Sequence, residues 1–383
     1  MGGEARVAHF FPIMCMIGIM CHMSDRSTNG AGIEGTLIVL CGGMSEEHEV
    51  SLASARSVLA ALPNRSVRPL VIERNGHLLD DATSRARLGL PAEHRSAAAA
   101  TACAPTGHER ATAAAGVAAL DLGPGDVVFP LLHGPYGEDG CVQGLLRLMA
   151  APYVGSSVLA SAVGMDKLTM KAVFAARGLP QVDYQGLAWH AYDADPAAAL
   201  ATARALGFPL FVKPANLGSS LGIARASDEV DLCSALAEAF RFDRRVIVEA
   251  AVVGVRELEV AVLGNEDPAL SPVGEIRYRG EFYDYASKYQ PGGAELMIPA
   301  PVSAAVAERA TELARSAFEA IDGAGLARVD LFYDEANDTV YVNEINTMPG
   351  FTATSMYPRL WAAAGLPFDM LVERLVELAR ERA

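Results

Sequence analysis

The chain has 383 residues, 51% of them hydrophobic and 20% charged, enough to bury substantial cores in two or three domains. Its 35 glycines and 21 prolines follow no period, which excludes a fibrous or wholly disordered protein. A formal charge of −15 excludes general nucleic-acid binding, which needs a basic surface, and leaves only local lysine clusters to hold an anion.

Residues 1–35 read as an extension outside the fold. "HFFPIMCMIGIMCHM" imitates the apolar part of a signal peptide, but the preceding region is weakly charged and no small-residue cleavage site follows. An upstream translation start or poorly ordered extension is the expectation, and a membrane-associated or exported protein the alternative. No apolar run is clearly long enough to span a bilayer. Cys15, Cys21, Cys41, Cys103, Cys141 and Cys233 lack metal-ligand spacing, so buried free thiols in a reducing compartment are expected.

From Thr36 the pattern becomes regular. "TLIVLCGGMS" is a buried strand running into a glycine turn, and "SEEHEVSLASARSVLAAL" has helical periodicity. "VRPLVIE" and "GDVVFPLLHGP" supply further strands of one layer, so residues 36–155 predict an open α/β sheet. Alanine-rich residues 82–119 read as an insertion or a surface segment. A second unit covers 156–256. "GMDKLTMKAVFAARG" is a helix between Asp166 and Gly178, "FPLFVKPANLGSSLGIARA" is strand, loop and strand, and a helix and "RRVIVEAAV" follow. A third unit, 257–383, holds "RELEVAVLG", "AELMIPAPV", a long helix, a hairpin over 328–346 and a terminal helix.

The hairpin carries the most unusual polarity. Arg328 and Asp330 are two apart and share a face, as do Glu344 and Asn346. If "RVDLFY" pairs with "VYVNEIN", Asp330 falls close to Glu344, and facing carboxylates repel. A divalent cation relieves this, and an all-oxygen set suits Mg²⁺ or Mn²⁺. The alternative is a salt bridge from Arg328 and a solvated Glu344. Mg²⁺ usually shares substrate phosphates, which directs attention to Lys213 and to Gly218, Ser219, Ser220 and Gly222 of "VKPANLGSSLG". That loop lacks the Walker A ending, and an ordinary hairpin turn is its alternative. Lys167 can add charge or lie on the surface. "FYDYASKYQPGG", with Lys288 and Tyr289, reads as a loop that folds over something or as an aromatic anchor. Glu47, His133 and Glu138 follow predicted strands, where ligands of open α/β sheets sit, although capping and backbone contacts explain them equally.

Together these segments resemble the D-alanine–D-alanine ligase family of the ATP-grasp superfamily across residues 36–377. The resemblance is carried by "GGMSEEHEVS", "HGPYGEDGCVQGLLRLMAAPYVGSS", "GMDKLTMK", "VKPANLGSSLG", "RELEVAVLG", "GLARVDLFY" and "NEINTMPGFTATSMYP". It implies an ATP-grasp fold of α/β and α+β units, with an N-terminal open α/β (pre-ATP-grasp) domain and ATP between the other two. It implies that Glu47 holds the ammonium of the first D-alanine, supported by His133 and Glu138. Lys167 and Lys213 then lie along the ATP phosphates, with Ser220 in the glycine loop, and Lys288 lies on the closing loop. Ser219, Tyr289 and Glu47 form a linked group, and Asp330, Glu344 and Asn346 hold two Mg²⁺ (or Mn²⁺) ions. Arg328 and the Gly350 N–H stabilise an oxyanion, and Ser355 and Met356 receive the second D-alanine. Glu249 corresponds to the adenine-side carboxylate and Glu257 to the ribose-side one. Between these two the chain departs from the family with one extra residue, Val255, which a bulge or longer turn would absorb.

The implied activity is ATP-dependent formation of D-alanyl-D-alanine through an acyl phosphate, for peptidoglycan precursors, in a cytoplasmic homodimer. Tyr289 goes with the dipeptide-forming members, whereas "NEINTMPGFTATSMYP" and "GLARVDLF" also resemble the depsipeptide-forming branch. D-Alanine–D-lactate or D-alanine–D-serine ligation is therefore the alternative, and a silent ATP-grasp scaffold the non-enzyme one.

Overall fold

A computed structural model describes residues 35–91, 113–118, 120–218, 221–278 and 294–383. Its first sheet is built from β1 (Leu37–Gly42), α1 (His48–Ala61), β2 (Val67–Ile72), α2 (Asp81–Leu88), α3 (Ala113–Ala118) and β3 (Val127–Leu131). The strand order is β2-β1-β3 and both pairings are parallel. Every residue of β1 and β3 is buried, which explains their unbroken apolar runs: a parallel strand covered on both faces has no polar side to alternate with. The alanine-rich stretch is only partly described. Within it, α2 starts at Asp80, whose side chain accepts from the Thr83 N–H, and stops at left-handed Gly89.

Next come α4 (Cys141–Leu148), α5 (Val158–Met165) and α6 (Lys167–Ala176). Asp166 caps α6 by accepting from the Thr169 N–H at 2.9 Å, as its sequence predicts, and also pairs with Arg245. β4 (Tyr184–Ala188), α7 (Trp189–Ala194), α8 (Pro196–Arg204), β5 (Leu210–Pro214), β6 (Ala224–Ala226), α9 (Glu229–Ala239) and β7 (Arg245–Ala250) form the second layer pair. Its sheet is antiparallel, in the order β4-β7-β5-β6, and packs on helices through Leu210, Val212, Leu232, Leu236, Val246 and Val248.

The largest sheet has six antiparallel strands in the order β11-β10-β8-β12-β13, with β9 beside β8. It comprises β8 (Arg256–Gly264), β9 (Ala269–Leu270), β10 (Gly274–Tyr278), β11 (Ala294–Met297), β12 (Gly325–Asp334) and β13 (Thr339–Asn346). α10 (Ala304–Ala320) crosses it on a stripe of small residues, Ala310, Ala314 and Ala317, that admits close approach to Val260, Val329 and Val342. α11 (Met356–Ala363) and α12 (Phe368–Glu381) close the fold.

α12 ties the first sheet to the last. Its face of Leu371, Val372, Leu375, Val376 and Leu378 is buried. From its polar side Glu373 pairs with Arg65, and the Arg380 Nη2 donates to the Gly125 carbonyl at 2.8 Å. Beyond the helix, the Arg382 Nη1 donates to the Gly155 carbonyl at 2.9 Å. Among the described residues no helix is long and apolar enough to cross a membrane.

Candidate active site

The polar hairpin forms one edge of the six-stranded sheet, with β12 between β8 and the edge strand β13. On β12, Asp330 is registered with Glu344 of β13 on one side and with Glu259 of β8 on the other; Arg328 is registered with Asn346. Register slips immediately after Asp330, where Leu331 pairs with Val342 and Asn343 becomes the extra residue. The Arg328 guanidinium donates to both Asp330 oxygens, at 2.6 and 2.7 Å, and its Nε lies 3.1 Å from Glu259 Oε2. Burial opposes its charge, but Asp330 and Glu259 outweigh that and raise its pKa well above the ordinary arginine value. Asn346 Nδ2 donates to Asp330 Oδ2 at 2.9 Å. The Lys167 Nζ stands 3.6 Å from Glu344 and donates to the Leu217 carbonyl at 2.9 Å.

The arginine–aspartate salt bridge, one of the two readings of the sequence, is therefore formed. It does not remove the case for a cation. Glu259, Asp330 and Glu344 bring three carboxylates to one face against two cations, Arg328 and Lys167, and the remaining donor is the oxygen-bearing Asn346. A donor set made only of oxygens fits a hard divalent ion. Among the described residues no group of three or more His, Cys, Asp and Glu side chains could hold a metal by itself. A cation here would need Asn346 and oxygens of a ligand.

Two cavities meet at this cluster. One, of about 760 Å³, lies between the four- and six-stranded sheets and is lined by Lys213, Glu249, Glu257, Arg328, Asp330 and Glu344. Glu249 faces two lysines: Lys213 Nζ is 2.5 Å from one oxygen and Lys171 Nζ is 2.8 Å from the other. Burial acts to raise its pKa, but the two lysines outweigh it and hold the carboxyl at about 2. Lys213 is disfavoured as a cation by burial, yet Glu249 and Glu344 raise its pKa above the usual lysine value. Val255 lies in the turn between β7 and β8, where Gly254 is left-handed and Val253 is 78% exposed. Both flanking carboxylates still reach the same cavity.

The other cavity, of about 580 Å³, is lined by Glu47, His133, Glu138, Lys167, Gly218, Asn346, Gly350, Ser355 and Met356, and shares Arg328 and Glu344 with the first. Glu47 sits between two glycines: a Cβ on Gly134 would lie 3.0 Å from its Oε2, and one on Gly218 would lie 3.3 Å away. His133 is buried, with Nδ1 3.1 Å from the Met348 carbonyl and Nε2 3.3 Å from Ser54 Oγ. Burial disfavours its charged ring, but Glu138 and Glu47 raise its pKa above the ordinary histidine value. Glu138 accepts the Gly134 N–H at 2.8 Å. Ser355 precedes α11, and its Oγ accepts the Thr352 N–H at 3.1 Å.

Thus Glu47, His133, Glu138, Lys167, Lys213, Glu249, Glu257, Arg328, Asp330, Glu344, Asn346, Gly350, Ser355 and Met356 line one or both of two adjoining cavities. Ser219, Ser220, Lys288 and Tyr289 lie outside the described residues. The sequence reading passed over Lys171 and Glu259. Glu259 had a signal, since Glu257 and Glu259 are two apart on a strand and share a face. Lys171 had one as well, since it ends the family-like stretch "GMDKLTMK" on the helix of Lys167.

The family model described as D-ala D-ala ligase N-terminus matches residues 36–156, and that described as D-ala D-ala ligase C-terminus matches residues 173–377. The chain is 49% identical over 352 residues to the D-alanine–D-alanine ligase of Deinococcus radiodurans, covering 90% of this chain and 98% of that one. It is 46% identical over 347 residues to that of Geobacillus thermodenitrificans, covering 90% and 95%. Among solved structures, the D-alanine-D-alanine ligase from Coxiella burnetii matches with a TM-score of 0.71 at 35% identity, covering 91% of this chain and 94% of that one. The VanG D-Ala:D-Ser ligase from Enterococcus faecalis matches with 0.73 at 30%, covering 90% and 99%. Similarity of this extent over both halves, with the fold of these ligases, leaves one conclusion: the chain belongs to the D-alanine–D-alanine ligase family, with its ATP-grasp fold.

Proposed function

We propose that this chain joins two D-alanine molecules into D-alanyl-D-alanine at the expense of ATP, supplying peptidoglycan precursors in the cytoplasm. The observation that carries the reading is the pair of adjoining cavities with Arg328 and Glu344 in their common wall. A reaction that activates one substrate with a nucleotide and then couples it to another needs such a junction. In this reading residues 36–155 serve the first D-alanine, and 156–256 and 257–383 enclose ATP from two sides.

The first D-alanine would lie in the smaller cavity, its ammonium on Glu47, which Gly134 and Gly218 confine. His133 and Glu138 hold that end rigid through the Met348 carbonyl and the Gly134 N–H. ATP would lie in the larger cavity with its phosphates toward Lys213, Lys167 and the glycine loop, while Glu249 and Glu257 face the nucleoside. The D-alanine carboxylate attacks the γ-phosphorus, the bond from that phosphorus to the bridging oxygen breaks, and ADP leaves with the electron pair. When bound at Asp330, Glu344 and Asn346, Mg²⁺ or Mn²⁺ supplies neutralisation of phosphate charge.

Arg328 then serves the second half-reaction. The neutral amine of the second D-alanine, whose carboxylate meets Ser355 and Met356, attacks the carbonyl of the acyl phosphate. The guanidinium and the Gly350 N–H stabilise the tetrahedral oxyanion, and phosphate departs. Exclusion of water protects the acyl phosphate, the role assigned to the loop carrying Lys288 and Tyr289. A homodimer completes the assignment, as the family resemblance implies.

Purified protein is expected to release phosphate and form the dipeptide with ATP, Mg²⁺ and D-alanine. Competition among D-alanine, D-serine and D-lactate, with products identified by mass from neutral to alkaline pH, tests the second substrate. Dominant ester or D-alanyl-D-serine would overturn the dipeptide assignment, and no product from folded protein would overturn the enzyme assignment.

A further inference from the structure

One buried cation beside the larger cavity has no part in that scheme. Lys171 follows Lys167 by one helical turn on α6 and is only 1% exposed. Its Nζ lies 2.8 Å from Glu249 Oε1 and 5.3 Å from the centroid of the Tyr184 ring, which β4 places opposite Glu249. An ammonium removed from water is costly without a counter-charge, so Lys171 depends on Glu249. Yet Glu249 also holds Lys213, 2.5 Å from its other oxygen. Two cations therefore share one anion. They differ in access: the Lys213 side chain is 12% exposed and lines the cavity, whereas Lys171 is sealed behind the carboxylate.

We propose that Lys171 is a positioning residue, the permanent counter-ion of Glu249, whose presence leaves Lys213 free to turn from Glu249 to the phosphates of bound nucleotide. The proposal rests on the ATP reading of the larger cavity. Without Lys171, movement of Lys213 to a phosphate would strand a buried carboxylate, so Glu249 would retain Lys213 and compete with the nucleotide for it. With Lys171 present, Glu249 stays ionised and paired whichever way Lys213 points. The Tyr184 ring face adds a second hold on Lys171, because an aromatic face attracts a desolvated ammonium.

The test is Lys171→Met in the full chain, read by steady-state kinetics and by calorimetric binding of ATP. The KM and Kd for ATP are expected to rise about tenfold or more, with kcat and the KM for D-alanine changing by less than about threefold. Lys171→Arg, which keeps the counter-charge beside Glu249, is expected to hold ATP binding within about threefold of wild type. Wild-type affinity for ATP in Lys171→Met would overturn the proposal, as would a Lys171→Arg variant that binds ATP no better than Lys171→Met. If Lys171→Met does not fold, Lys171→Gln takes its place: a loss of ATP affinity of about tenfold or more supports the proposal, and any smaller loss refutes it. Wild-type turnover is measured in the same assay. Failure of the functional reading then shows in the wild type, and failure of the Lys171 assignment only in the variants.

Discussion

Replacing Glu249 with glutamine removes the one anion between Lys171 and Lys213 while keeping its shape. The folded carboxyl has a pKa of about 2 against an ordinary 4.5, because the two lysines outweigh its burial. At about 1.36 kcal/mol per pH unit, that gap corresponds to about 3 kcal/mol of stability at pH 7. A carboxyl with a depressed folded pKa contributes fully above 4.5 and loses its contribution as pH falls through 2, so roughly half of it remains at pH 3. Urea unfolding of wild type and Glu249→Gln, followed by circular dichroism at pH 7 and pH 3, measures the difference at each. The variant is expected to be less stable by about 3 kcal/mol at pH 7, with the deficit roughly halved at pH 3. A deficit equal at the two pH values would refute the electrostatic account, and one below about 1 kcal/mol at pH 7 would refute its magnitude.

Glu344→Ala removes a side chain that is 27% exposed and faces Lys167. Turnover should fall on the order of 10²–10³ while stability changes by less than about 1 kcal/mol; equal damage to both would make Glu344 structural. Gly134 has φ +74° and a Cβ there would lie 3.0 Å from Glu47 Oε2. Gly134→Ala should cost about 1–2 kcal/mol in thermal unfolding and raise the KM for D-alanine about tenfold, and an unchanged KM would detach Glu47 from substrate placement. Tyr357→Phe deletes a buried hydroxyl that donates to the Val262 carbonyl at 2.9 Å. It should lower stability by about 1–3 kcal/mol with kinetics intact, and a change in kcat would contradict a purely structural role.

Much of this architecture was legible along the chain because period and punctuation coincide. Buried runs at 37–42 and 127–131 predicted strands of an open α/β sheet, and Asp166 and Gly178 bracketed a helix that forms between them. The Asp330–Glu344 pairing followed from the two-residue alternation of the hairpin, although the bulge at Asn343 did not: one extra residue beyond a facing pair leaves no compositional trace. β4, α7 and α8, over 184–204, went unread, since the polar and alanine-rich "YDADPAAALATARA" shows no clear apolar face. The burial of Lys171 went unread for a different reason. On a helix surface a lysine four residues after another reads as a solvated pair, and only the approach of β7 and β5 from another part of the chain makes it a buried charge.

The clasp made by α12 has a bearing on biogenesis. Arg65, Gly125 and Gly155 are synthesised long before Glu373, Arg380 and Arg382, the side chains that engage them. On the ribosome the first sheet can acquire its strands early, but the part of its seam that α12 makes stays open until that last helix emerges. Shortening the chain by two or three helical turns at this end would therefore loosen the amino-terminal layer, some 220 or more positions upstream, ahead of the sheet from which the helix was cut.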